Sequence, residues 1–155
     1  MISIQHKDFS LEELSDQLKL QAGVNVGAIC TFTGLVRELD QPNQAKLTAL
    51  SLEHYPGMTE KCLDTIAKEA KTRFLLSAII IVHRVGKLQV GEQIVYVGTA
   101  SEHRRSAFEG CQYIMDYLKN DAPFWKKEYR ADGTEKWIDQ VQTDRDAKNN
   151  WDLKP

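Results

Sequence analysis

Residues 75–86, LLSAIIIVHRVG, constrain this chain more than any other segment. Their apolar residues run together instead of alternating with polar ones, and the centre of the run is β-branched. Such a strand has no face to give to water and is expected to be buried on both sides or nearly so. Amphipathic helices are available to cover it. Residues 58–74, MTEKCLDTIAKEAKTRF, place apolar side chains at 58, 62, 63, 66, 67, 70 and 74, which is a helix with one buried stripe. Residues 102–120, EHRRSAFEGCQYIMDYLKN, are the clearest helix. Ser101 is its expected N-cap and Pro123 its stop, and Ala107, Phe108, Cys111, Ile114, Met115 and Leu118 form its apolar face.

Local signals supply the remaining elements. Ser10 and Glu13 form a capping box ahead of a short helix over about 10–20, with Leu11, Leu14 and Leu18 on one side. Strands are expected at 26–34 (VGAICTFTG), 47–55 (LTALSLEHY) and 93–101 (QIVYVGTAS), the last with Gly98 as a point of close backbone approach. The polar segment 36–46 reads as a mobile loop and KLQVGE as a turn. FWKKEYR and TEKWIDQ flank Ala-Asp-Gly as a hairpin. The order α-β-β-α-β-β-α-β-β, with its terminal β-hairpin, gives an α+β fold: a largely antiparallel sheet with packed helices. One domain is expected over 1–140. A polar tail is expected at 141–155, frayed or ordered by a partner from Asp144 onward, with Trp151 its odd apolar residue.

The charge balance narrows the partners. A net charge of −2 gives no basic field for nucleic acid or a membrane surface. The window from His103 to Arg130 nevertheless holds six Lys/Arg against four Asp/Glu, which leaves room for a small local anion site. No segment approaches a membrane span, and the N-terminus shows no signal-peptide pattern. The three cysteines, Cys30, Cys62 and Cys111, are far apart and never in CxxC spacing, as expected of a reducing cytoplasm. They read as small core hydrophobes, so any sulfur chemistry would draw its sulfur from elsewhere.

Two stretches could carry chemistry. In SEHRRS, His103, Arg104 and Arg105 fall in the first turn of a helix, where cations oppose the dipole unless an anion is bound there. Two readings stand at this point: an anion site, or arginines that are merely solvated or paired. In DYLKNDAPFWKKEYR, Lys119 ends the helix, where a cation is welcome on structural grounds alone. Lys126 follows Phe124 and Trp125 on a short strand. Alternation puts Phe124, Lys126 and Glu128 on one face and Trp125, Lys127 and Tyr129 on the other. If Phe124 packs inward, Lys126 is drawn toward an apolar site and its amine becomes a usable base or nucleophile; otherwise it is an exposed lysine on an edge strand. Arg37 opens the polar loop, where a ligand clamp could sit. His54 and His83 lie in strands without a second ligand at metal spacing and read as core or interface histidines.

TFTGLVR (31–37), LEHYPGMTEK (52–61), VHRVGKLQVGE (82–92), SEHRRSAFEGCQYIMDYLK (101–119) and APFWKKE (122–128) together resemble the large, catalytic subunit of molybdopterin synthase. The blocks run in order from about residue 24 to 138, and LEHYPGM and APFWK are the most specific. The resemblance implies an α/β hammerhead-type fold and a homodimer that binds two ubiquitin-like small subunits as a heterotetramer. The small subunit's Gly-Gly tail would carry a thiocarboxylate into a pocket of this chain. Two sulfurs would pass from it to cyclic pyranopterin monophosphate, making the dithiolene of molybdopterin, with no cofactor or metal. By the same resemblance Lys119 and Lys126 are catalytic, and Leu35, Val36, Arg37, His103, Arg104, Lys127 and Glu128 are substrate-binding positions, part of the pocket being donated across the dimer. Leu35 stands where the family often has a lysine, which removes a basic contact there. Arg105 occupies a position that is often small or polar. The residue chemistry alone leaves two other functions open: a lysine Schiff-base lyase acting on a phosphorylated carbonyl compound, and a non-enzymatic docking module for a ubiquitin-like tail.

Overall fold

The computed structural model describes residues 1–38, 41–138 and 142–152. In chain order the elements are β1 (Ile2–Gln5), α1 (Leu11–Ala22), β2 (Ala28–Leu35), β3 (Leu47–His54), α2 (Met58–Arg73), β4 (Ala78–Arg84), β5 (Gly86–Gln89), β6 (Gln93–Ser101), α3 (Arg104–Asp121), β7 (Phe124–Arg130), β8 (Glu135–Ile138) and α4 (Gln142–Asp152). The β-branched run behaves as its composition requires: every residue of β4 is buried. It lies inside a four-stranded sheet of order β1-β4-β6-β2, antiparallel to β6 and parallel to β1. Its side chains alternate between two cores. Ile80 and Val82 pack with Leu14 and Leu18 of α1, while Ile79 and Ile81 pack with Leu63 and Ile66 of α2 and Ile114 and Leu118 of α3. Each such side chain contributes roughly 1.5–3 kcal/mol by leaving water.

The approach at Gly98 is made by side chains rather than backbone. A Cβ added there would sit 2.8 Å from Tyr96 Oη and 2.9 Å from Leu18 Cδ2, so α1 lies directly on the backbone of β6. Gly98→Ala is expected to cost about 1–3 kcal/mol by overpacking. A urea titration should show a lower midpoint at unchanged slope.

The expected α+β class holds, with helices on a largely antiparallel scaffold, but the strands form two sheets instead of one. The second has the order β5-β3-β7-β8 and is antiparallel throughout. Val36, Leu47, Leu52 and Leu88 make a third core cluster, joined by Leu50 and by Ile94 of the first sheet. Two strands were not expected. β1 is four half-buried residues held by parallel pairing to β4 and by the N-terminal amine, which donates to Ile79 O at 2.7 Å. β5 replaces the expected KLQVGE turn; Leu88 is buried between exposed Lys87 and Gln89, an alternation too short to stand out.

Helix α3 also differs in detail. Its N-cap is His103, without a side-chain cap bond, and not Ser101. Ser101 ends β6, buried, with its Oγ donating to Leu75 O at 3.3 Å. Phe108 is 62% exposed, while Gly110 and Tyr113 are buried. The hairpin β7–β8 is present as expected but does not end the chain, because α4 follows it and packs on α3. Trp151 is buried against Phe74 and Tyr113, which corrects the reading of a frayed end. Parts of three expected segments lie outside the described residues: 39–40 of the polar loop, 139–140 of TEKWIDQ, and 141 and 153–155 of the tail. No described helix is long and apolar enough to cross a membrane.

Candidate active site

A cavity of about 480 Å³ lies where the two sheets meet the C-terminal end of α3. Three basic side chains, Arg37, Lys119 and Lys126, reach its lining. Each is placed by a separate element. Arg37 follows β2 and is held by Val36, whose N–H donates to Glu92 O at 2.9 Å and whose carbonyl accepts from Gly91 N at 2.7 Å. Lys119 projects from the last turn of α3, whose rotation is fixed by buried Ile114 and Leu118. Lys126 lies in the middle of β7, in register with Leu52 of β3.

Strand alternation sorts the β7 residues as the sequence requires. Phe124, Lys126 and Glu128 line the cavity. Lys127 does not; it is ion-paired with Glu135 of β8, and its ammonium lies 5.4 Å from the Tyr129 ring centroid and 5.8 Å from that of Trp137. The hydrogen bond that Lys127 donates to Glu135 holds the ammonium in its charged form, raising its pKa. Trp125 is on that outer face too, half exposed. Leu35 is part of the cavity wall, but Val36 is 1% exposed and sits in the core cluster of the second sheet. Its part is therefore to hold its neighbours by backbone bonds, not to offer a side chain. His103 and Arg104 are exposed at the opposite end of α3 from Lys119, about 22 Å away along a helix that rises 1.5 Å per residue. One chain does not bring them to this cavity.

Among the described lining residues Glu128 is the one acid. It is 6% exposed and its Oε2 accepts from Arg130 Nη2 at 2.6 Å; Arg130 Nη1 donates to Ala45 O at 2.8 Å. With Glu128 neutralised by Arg130, the described lining keeps a positive surplus suited to an anion. No described lining residue is a cysteine. Burial pushes the Cys62 and Cys111 thiols up, away from the thiolate form that sulfur chemistry needs. A second groove, lined by Met1, Asp64, Lys68 and Lys71, has mixed charge and lies apart from these residues.

His83 is core, as expected, and also part of the cavity wall. Its one sequence signal was to be a polar residue at the end of an apolar buried run. Burial lowers its pKa from 6.5 to about 4, with the Arg84 carbonyl opposing that shift and the charges at Lys126 and His54 adding to it. The unfolded chain therefore takes up the proton first on acidification. The stability linked to His83 is fully present above about pH 6.5 and falls by roughly 3 kcal/mol as pH drops toward 4. Urea titrations at about pH 7 and about pH 4.5 should show that loss in the wild type and not in His83→Phe.

Comparison with known proteins bears on this site. Residues 4–121 match the family model described as MoaE protein. The "Molybdopterin synthase catalytic subunit" of Mesorhizobium japonicum is 45% identical over 151 residues, covering 97% of this chain and 92% of that protein. Its counterpart of the same description in Escherichia coli is 48% identical over 125 residues, 81% of each chain. Among solved structures, the "Molybdopterin biosynthesis MoaE protein" of Burkholderia ambifaria superposes with a TM-score of 0.80 at 46% identity, covering 97% of this chain and 96% of that one.

Proposed function

The chain belongs to the MoaE family, and from that premise we propose that it acts as the catalytic subunit of a molybdopterin synthase in molybdenum cofactor biosynthesis. The observation that carries the reading is a cavity with Arg37, Lys119 and Lys126 in its wall and no described cysteine. The site is equipped for anions and must receive its sulfur from outside. The donor is the C-terminal thiocarboxylate of a ubiquitin-like small subunit, threaded into the cavity by its Gly-Gly tail. The acceptor is cyclic pyranopterin monophosphate, which gains the two dithiolene sulfurs. Donor and acceptor are both anionic, so their encounter needs cations to offset repulsion.

Lys119 and Lys126 hold the thiocarboxylate, stabilise developing negative charge and move protons. Arg37 takes the phosphate. Leu35 and Glu128 shape the wall, Glu128 with its charge already taken by Arg130. His103 and Arg104 serve the phosphate only if a second copy brings the start of its α3 to this cavity, which is the role of the homodimer within the heterotetramer. Lys127 has no place in the pocket of its own chain. The reaction belongs in the cytoplasm.

The test is to mix this chain with a thiocarboxylated ubiquitin-like partner and cyclic pyranopterin monophosphate and to quantify dithiolene product. Product supports the reading. No product from the folded chain, with the partner still bound, would overturn it in favour of a docking module. Borohydride trapping of a substrate adduct on Lys126 would overturn it in favour of a lyase.

A further inference from the structure

LEHYPGMTEK and APFWKKE, two blocks that stand out in the sequence, meet at a single hydroxyl. Thr59 is the second residue of α2 and is fully buried. Its Oγ1 accepts from Tyr55 N at 2.9 Å and donates to Pro123 O at 3.1 Å. A hydroxyl carries one proton, an amide N–H can only donate and a carbonyl can only accept, so both directions are fixed. Ala122 and Pro123 form the joint between α3 and β7, with Lys119 just before it and Lys126 just after. Pro123 has no N–H of its own to offer. Cys62 Sγ donates to Asp121 O at 3.4 Å, a weaker tie because a thiol is a poor donor. The turn that precedes Thr59 is braced by its own bonds. Glu60 accepts from Gly57 N at 2.7 Å and meets His54 Nε2 at 3.4 Å, and Gly57 holds a φ of +82° that favours glycine. The Thr59 hydroxyl therefore fastens the joint to an already braced turn.

We infer that Thr59 is a positioning residue: by holding Pro123 O it fixes the joint, and with it the spacing of Lys119 and Lys126 across the cavity. The two lysines come from different elements, a helix end and a strand, and this two-residue joint links those elements along the chain. A shift of the joint turns one lysine relative to the other. In the sulfur-transfer reading both meet the same anion, and misplacing a reacting group by about 1 Å can cost on the order of 10²-fold in rate. Thr59 is not among the described residues that line the cavity, so it acts through the lysines and not on substrate.

The catalytic consequence rests on the sulfur-transfer reading; the coupling of Thr59 to the lysines does not, and two measurements separate them. The first follows the ¹³Cε–¹Hε resonances of Lys119 and Lys126 by NMR in the full chain without substrate. Thr59→Val keeps the shape and loses both bonds, and is expected to move at least one of the two. Thr59→Ser keeps the hydroxyl and is expected to leave both near their wild-type positions. Lysine resonances indifferent to Thr59→Val would overturn the inference. The second is the sulfur-transfer assay, run well below the melting temperature of each variant. Thr59→Val is expected to lower kcat about tenfold or more while KM for the pterin changes by less than about threefold, with most of the loss recovered in Thr59→Ser. A merely structural threonine would lower the melting temperature and leave kcat of the folded protein intact. That result, or an equal loss of kcat in both variants, would overturn it. Should Thr59→Val not fold, Thr59→Ala makes the same loss with a smaller side chain and is read in the same way. If the wild type makes no product, the sulfur-transfer reading falls and the lysine resonances still decide the coupling.

Discussion

Replacing Lys119 with alanine is expected to lower dithiolene formation by about 10²–10³-fold, the usual loss when one preorganised charge-stabilising group is removed from an active site. The fold should barely notice. Lys119 is exposed in the last turn of α3, where its interaction with the helix dipole is worth about 0.3–1 kcal/mol. A large loss of product at nearly unchanged thermal stability would place Lys119 at the reacting centre. Lys127→Ala is the internal control, since Lys127 is ion-paired with Glu135 on the outer face of β7 and should leave the rate nearly unchanged. Equal product from wild type and Lys119→Ala would keep the function but move the chemistry to Lys126 or to the partner.

The contrast between Lys119 and Lys127 shows where the site was legible. Period-two alternation alone separated Phe124, Lys126 and Glu128 from Trp125, Lys127 and Tyr129, and the cavity lining follows that division. Assigning Lys127 to the substrate on family resemblance ran against this rule, and the geometry sides with alternation. Lys119 was not legible from local chemistry, because a lysine at a helix C-terminus is favoured whether or not it acts. It gains meaning only from a cavity whose walls come from β2, β3, β4, β6, β7, β8 and α3, elements far apart in the chain. No local pattern announces that the strands divide into two sheets. The division rests on long-range pairings such as Leu52 with Lys126 and Ile80 with Gly98. The same limit hid the place of His83 in the cavity wall. A histidine ending an apolar strand is correctly read as core, but whether its ring also meets a cavity depends on where β7 packs.

Trp151→Ala is expected to destabilise the protein by about 3–5 kcal/mol, the range for removing a buried tryptophan. Local hydrophilicity made the polar tail look frayed or ordered by a partner, because one tryptophan in a polar run gives no amphipathic stripe. Its contacts make it a clasp. The indole is 3% exposed, with ring centroids 5.6 Å from Phe74 and 5.5 Å from Tyr113, both edge-on. Its Nε1 donates to Asp116 Oδ2 at 2.7 Å, and its backbone carbonyl accepts from Arg73 Nη2 at 2.7 Å. Trp151 thus ties α2 and α3 together, and Lys148 adds an ion pair to Asp121 at 2.6 Å. For a chain of this size the loss should lower the melting temperature by roughly 10 °C, with Trp151→Phe intermediate because it keeps a ring and forfeits the Nε1 bond. Asp116 is one turn before Lys119 on α3, so loosening the clasp also frees the turn that aims the lysine. Activity in Trp151→Ala should therefore fall at temperatures where the protein is still folded. A variant that melts with the wild type would instead end the domain near residue 140 and leave α4 as an accessory.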